Sequence, residues 1–309
     1  MVRRVAVVAW LLILVPCVIC AQSNPLWREE KVKNYMPHMA WPEVRDLLTR
    51  TDIVLIPVPS LEQHGLHAPI GTDFYGGIER AKLIAQRTDI LVAPVLMVGQ
   101  APYHMEFPGT IALSSETMQR VYFEAAQSLI RHGFRRFILF SSHTGNQHVT
   151  RFVVDRINQE TAAIAVDLGD AIESMATPGT AGSQPTPQPF DRHSGVGETS
   201  SALYLFPSLV ALEKAERATL TLPASLNRML PEVKAGDAAA SLVFLAEGLK
   251  PKETGKGTSA AEMSTTGVWR ERDPREATAE QGRRMTEAFV DGAVRFIERW
   301  KQLRPQPPR

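Results

Sequence analysis

The chain has 309 residues, a formal net charge of +1 and 44% hydrophobic residues. That near-neutral balance leaves no basic surplus for nucleic acid or anionic lipid, and the length suits one large α/β domain with an ample core. Cys17 and Cys20 are its two cysteines; both lie in the leading apolar stretch, so a chain that has lost it has neither disulfide nor thiolate chemistry.

At the N-terminus Arg3 and Arg4 precede the uncharged run Val5–Ile19, and Ala21 offers a small residue for cleavage. This is the layout of a secretory signal peptide. It divides the chain into a signal at residues 1–21, one α/β domain at 22–303 and a tail at 304–309. Cleavage takes the formal charge from +1 to −1, leaves no stable membrane span and sends the protein to the periplasm or outside the cell. A retained anchor is the alternative, although about 15 apolar residues are short for a span.

Trp41–Leu48 reads as a short helix with proline in its first turn. Ile53–Val58 is apolar and rich in β-branched residues, the pattern of a strand buried on both faces. Directly after it, Ser60–Asp73 carries Glu62 and His64 two residues apart. Both leave the same face of an extended chain, which makes them a chelating pair. Thr72 reads as the N-cap of a helix continuing through Ala85, with Asp73 in its first turn. A carboxylate, an imidazole and a second carboxylate suit Zn or Mn better than Ca, and a carboxylate can bridge two ions. Polar loops at strand ends also carry such residues as caps and solvated groups, so the spacing alone leaves both readings open.

This stretch, Glu62-Gln63-His64-Gly65-Leu66-His67 followed by Gly71-Thr72-Asp73, resembles the signature of the creatininase family, the creatinine amidohydrolases and their relatives. The resemblance implies metal ligands at Glu62, His64 and Asp73, with Asp73 bridging two ions, Zn and/or Mn.

Further along, Ile90–Val95 and Arg136–Phe140 read as strands and Glu116–His132 as a helix, an alternation that points to parallel strands with helical crossovers. Between them, His104-Met105-Glu106-Phe107-Pro108-Gly109-Thr110 is a Pro-Gly turn that again resembles the family, where such a run borders the active site. His104 and Phe107 are therefore expected as pocket walls. The second strand ends in Ser141-Ser142-His143-Thr144-Gly145-Asn146 before a helix at Gln147–Thr161. The family's matching histidine is a ligand, which implies that role for His143 and a place at the pocket for Thr144. Creatininases proper have a glutamate ligand two residues later, where this chain has Gly145.

Ala163–Leu168 reads as another strand, and Thr177–Phe190 as a loop or flap. The run His193-Ser194-Gly195-Val196-Gly197-Glu198-Thr199-Ser200 resembles the family's His-Ala-Gly-x-x-Glu-Thr-Ser. By that resemblance His193 is the catalytic acid/base, and Glu198 is a ligand or a base. Pro207–Leu230 is expected to give a helix and a strand, and Lys250–Thr266 a mobile surface loop or an oligomer contact. Gly267-Val268-Trp269 with Asp273-Pro274 and Ala277-Thr278-Ala279-Glu280 matches the family's C-terminal signature, and a helix over Thr278–Gln302 closes the chain.

Together these features lead to an α/β fold, a three-layer α/β/α sandwich around a mostly parallel sheet, creatininase-like. The implied activity is metal-dependent hydrolysis of a non-peptide C–N bond in a small cyclic or linear amide, creatinine or a relative. His193 would be its proton shuttle and two divalent ions its cofactors. The alternatives are a formamide deformylase, a small-peptide hydrolase, or an exported binding protein without turnover. The resemblance also implies a homo-oligomer, by family precedent a hexamer.

Overall fold

Every residue of strand β1 (Ile53–Val58) is buried, because the strand lies between two layers of helices and its alternating side chains feed both. The structure, a computed structural model, describes residues 30–96, 99–175, 190–248 and 259–306. The chain divides into Met1–Lys31 and Val32–Arg309, and the fold is that of the second unit. The expected signal peptide lies outside the described residues, as do most of the expected flap and residues 250–258 of the expected surface loop; the rest of that loop instead includes a short helix at Ala260–Met263 with Ala260 and Met263 buried in the core. Among the described residues no helix is long and apolar enough to cross a membrane.

Val54, Ile56 and Val58 point into a core closed by α1 (Trp41–Leu47), α3 (Ser115–His132) and α4 (Gln147–Glu160). Ile53 and Leu55 point the other way, onto α2 (Thr72–Thr88), α5 (Leu168–Ser174) and α10 (Ala279–Leu303). In β3 (Arg136–Ser141) the same alternation sends Phe137 and Leu139 to the first core, and Ile138 and Phe140 to the second. Each such side chain contributes about 1.5–3 kcal/mol on burial, so a one-residue slip of register would invert both cores.

Strands β1 and β3, with β2 (Leu91–Val92) and β4 (Ile164–Asp167), form a parallel sheet in the order β2-β1-β3-β4. The expected three-layer architecture is therefore present. From β1 the chain crosses over to one side, to β2; from β3 it crosses to the other, to β4. Between β1 and β3 the winding reverses, and the crevice beyond their C-terminal ends is where open α/β sheets bind ligands.

Several boundaries differ from the sequence reading. Ladder pairing of the second strand stops at Val92, two residues before Pro94, which has no N–H to offer. Gly71, not Thr72, is the N-cap of α2, and the Thr72 hydroxyl donates to the Pro69 carbonyl. Asp167 ends β4 and caps α5 by accepting from the backbone N–H groups of Gly169 and Asp170, so the apolar run turns into a helix at Leu168. Between Pro207 and Leu230 the expected strand is absent; two 3-10 turns lead to α7 (Ala224–Lys234).

Among the described residues, those following α5 and preceding α10 build a cap. An antiparallel pair, β5 (Asp191–His193) and β6 (Trp269–Arg270), precedes α6 (Val196–Leu205) in one arm and follows α9 (Ala260–Met263) in the other. With α7 and α8 (Ala238–Gly248) they enclose a third core containing Tyr103, Phe190, Phe244, Met263 and Trp269.

Candidate metal centre

Glu62 and His64 follow β1, Asp73 opens α2, His143 follows β3, and Glu198 sits in the first turn of α6. Four chain segments thus deliver these side chains to one place. Their ligand atoms group into Glu62, Asp73 and His143; His64, Asp73 and Glu198; and Glu62, His64 and His193, the atoms of each group lying within 4.8 Å of one another. Asp73 belongs to the first two through different oxygens. Its Oδ2 lies 3.2 Å from His143 Nδ1 and its Oδ1 3.6 Å from His64 Nε2.

Glu62, His64, His143 and Glu198 are each aimed by a hydrogen bond at the far side. Ser60 Oγ donates to Glu62 Oε2 at 2.9 Å, leaving Oε1 directed inward. His64 Nδ1 donates to the Glu62 carbonyl at 3.0 Å, so its Nε2 lone pair faces Asp73 and Glu198. His143 Nε2 lies 3.1 Å from the Gln100 carbonyl and 3.0 Å from Tyr103 Oη. Donation to the carbonyl leaves Nδ1 as the acceptor, 3.2 Å from Glu62 Oε1. The Ser194 backbone N–H donates to Glu198 Oε2 at 2.7 Å, and Glu198 Oε1 lies 3.5 Å from His64 Nε2. Such outer hydrogen bonds are the usual means of fixing tautomer and orientation in metal sites.

A cation fits what is left over. Glu62 Oε1, His64 Nε2 and Asp73 Oδ2 are buried without a hydrogen-bond partner, and all three residues belong to the metal-capable groups. Buried polar atoms are otherwise almost always satisfied. The charges agree. Burial works against protonation of His64 and His143, yet the Glu198–Asp73 and Glu62–Asp73 carboxylates outweigh it and hold both imidazoles well above their usual range. Burial alone would raise Asp73, but His64 and His143 bring it below the ordinary carboxylate value. Protons on these histidines stand in for the positive charge that the carboxylates demand. Two carboxylate oxygens with one imidazole nitrogen suit a divalent ion such as Zn or Mn.

Gly145 occupies the position where a glutamate was missing, and the structure shows why no side chain stands there. A Cβ on it would lie 2.4 Å from both His143 Nε2 and Tyr103 Oη. Glu198, arriving from α6, fills out the His64–Asp73 group instead. Gly145→Ala is expected to push the His143 ring off its carbonyl anchor and weaken metal binding by roughly 10–100-fold, measured by competition with a chromogenic chelator.

His193 is held between His64 and His104, with ring centroids at 4.6 and 4.4 Å. Its Nε2 donates to the Gln63 carbonyl at 2.8 Å, so Nδ1 faces Glu62 Oε1, 3.7 Å away. Burial, helped by the neighbouring His64, lowers its pKa and favours the neutral ring. His104 Nδ1 accepts from Gln63 Nε2 at 3.0 Å, and its Nε2 lies 3.6 Å from Glu62 Oε1; it falls in none of the three groups. A cavity of about 200 Å³ opens over these residues, walled by Tyr103, His104, Thr144, Asp191, Arg192 and Trp269 among others. Phe107, expected on the wall, packs against the third core instead and is not among the residues lining the cavity.

Sequence reasoning passed over Tyr103, Gln63, Asp191, Arg192 and Trp269, whose residue types announce no chemistry by themselves. His67 was not singled out either. It is 3% exposed, with Nε2 3.0 Å from Thr199 Oγ1, and burial followed by the Arg270 charge lowers its pKa to about 4. The unfolded chain takes up this proton near pH 6.5 and the folded one only near 4, so stability is fully present above 6.5 and falls as pH drops through that window. About 1–2 kcal/mol of stability is expected to go between pH 7 and 4.5, and denaturation midpoints of His67→Gln should show a correspondingly shallower loss.

The chain belongs to the creatininase family: the family model described as creatinine amidohydrolase matches residues 37–297. Among curated relatives, the mycofactocin precursor peptide peptidase of Mycobacterium tuberculosis is 29% identical over 265 residues, 82% of this chain and 86% of the relative. The creatinine amidohydrolase of Pseudomonas putida is 29% identical over 201 residues, 58% of this chain and 75% of the relative. A solved structure described as creatininase Mn superposes with a TM-score of 0.61 at 21% identity, covering 89% of this chain and all of that one, which shows the shared fold. Family members thus hydrolyse different substrates, a peptide among them.

Proposed function

We propose that this protein is a metal-dependent amidohydrolase that cleaves the C–N bond of a small cyclic or linear amide, with two divalent cations, Zn and/or Mn, per subunit. The supporting observation is that the residues with buried, partnerless atoms, Glu62, His64 and Asp73, are shared among the metal-capable groups. Glu62, Asp73 and His143 would hold one ion, and His64, Asp73 and Glu198 the other, with Asp73 common to both. When bound, such ions polarise an amide carbonyl and lower the pKa of water.

The chain's own residues then supply binding and proton transfer. His193, neutral and with Nδ1 turned inward, takes a proton from the attacking water and returns it to the leaving nitrogen, which departs poorly without one. The Gln63 carbonyl keeps the ring in the tautomer this requires. Tyr103 and Trp269 form the apolar part of the wall against which a small substrate is placed. A cavity of about 200 Å³ favours a compact amide such as creatinine over a long peptide. Cleavage at the end of a small peptide, as the peptidase relative suggests, is the second reading, favoured by the higher coverage of that relative. The same reading includes export directed by residues 1–21 and assembly of identical subunits.

Elemental analysis of purified protein, then assays on creatinine, lactams, formamides and short peptides with and without a chelator, tests the proposal. Two equivalents of Zn or Mn and chelator-sensitive hydrolysis of a small amide are expected. Metal without turnover on any of these would favour a binding protein.

A further inference from the structure

Arg270 is the anomaly outside the catalytic cavity. It is 1% exposed and the largest of the fully buried side chains. Its Nε and Nη1 have no hydrogen-bond partner among the described residues, and Nη2 reaches only the Glu216 carbonyl, at 3.3 Å. Burial pulls the guanidinium down to about 10, and the carboxylates of Asp191, Asp273 and Glu276 act on it without reaching contact. A buried guanidinium is normally paired, since desolvating the charge is costly unless a carboxylate or another oxyanion meets its fork of donors.

Arg270 lines a cleft of about 660 Å³ on the other side of β6 from the catalytic cavity, where the adjacent Trp269 lies. Adjacent strand residues point to opposite faces, which is why the two reach different cavities. Arg217 and Arg272 stand beside Arg270 in the cleft. The three acids that line the cleft are already engaged, and Asp191, facing Arg270 across the strand pair, accepts from the Val196 backbone N–H at 3.2 Å. Glu271 pairs with Lys234 at 2.8 Å, Asp273 with Arg275 at 2.6 Å and Glu276 with Arg272 at 2.6 Å. Arg270 and Arg217 are left as cations of the cleft with no ion pair among the described residues.

We propose that this cleft is a second binding site, for a small oxyanion of the carboxylate or phosphate class, with the buried fork of Arg270 as its anchor and the exposed Arg217 closing over the ligand. The fork accepts two oxygens side by side, a geometry that a lysine ammonium does not reproduce. The site is independent of the chemistry assigned to the catalytic cavity.

Isothermal titration of the metal-loaded protein with inorganic phosphate, and separately with succinate, tests the proposal in the natural chain, Arg270→Lys and Arg217→Ala. One equivalent of at least one of the two anions should bind, at least tenfold more weakly in both variants. Phosphate alone would assign the phosphate class, and succinate alone the carboxylate class. An anion held by the catalytic metals would bind equally well in Arg217→Ala, and that result overturns the proposal. So does the absence of saturable binding by either anion in the natural chain. Arg217→Ala changes an exposed side chain, so it keeps the test decisive if Arg270→Lys does not fold.

Discussion

Asp73→Asn is expected to yield protein that folds but retains less than a tenth of the normal complement of divalent metal, with hydrolysis reduced by about 10³-fold or more. The expectation follows from position. Asp73 is 4% exposed and offers Oδ2 toward His143 and Oδ1 toward His64, so it is common to the two groups that would each hold an ion. The amide keeps the size of the side chain but removes the charge and replaces one oxygen with a donor, turning an N–H toward an imidazole nitrogen or a cation. Loss at either group unbalances the other, because the remaining carboxylates then repel one another in a site with little water. Elemental analysis and turnover are measured on the same preparation. Full occupancy in the variant would show that the ions sit elsewhere.

His193→Ala should behave in the opposite sense: metal content unchanged and turnover lowered by roughly 10²–10⁴-fold, the range for a lost general acid/base. In the natural protein, burial favours neutral His193. Its activity should therefore hold down through pH 6.5 and fall only at more acidic pH, as the ring protonates and can no longer accept a proton. That acid limb should vanish in the variant. The geometry also permits His193 to act as a ligand in the group with Glu62 and His64, and a loss of metal on substitution would assign it that role instead of proton transfer.

Strands β1 and β3 were legible in the sequence because they are central and apolar on both faces, and helices α3, α4 and α10 because their buried residues recur at helical spacing. The cap was not. β5 is Asp191-Arg192-His193 and β6 is Trp269-Arg270, too short and too polar for any period to show. α8 is apolar around its whole circumference, with Leu242 70% exposed, so it has no polar face to mark it. The positions named as ligands converge because each follows a strand end or opens a helix, where residue type and local pattern agree. Residues that only steer others, such as Gln63 holding His104 through its amide and His193 through its carbonyl, depend on packing between distant segments, and a single sequence has no signal for that.

The layering of three imidazoles has a kinetic consequence. With His64 and His104 at ring-centroid distances of 4.6 and 4.4 Å from His193 and its Nε2 tied to a backbone carbonyl, a swing of the middle ring would break that hydrogen bond and displace a neighbouring imidazole. A relay that swings between two stations is thereby disfavoured. Both the proton's origin and its destination must come within reach of one stationary nitrogen, so it is the reacting molecule that shifts during turnover, and analogues too rigid to make that small movement should be held without being cleaved.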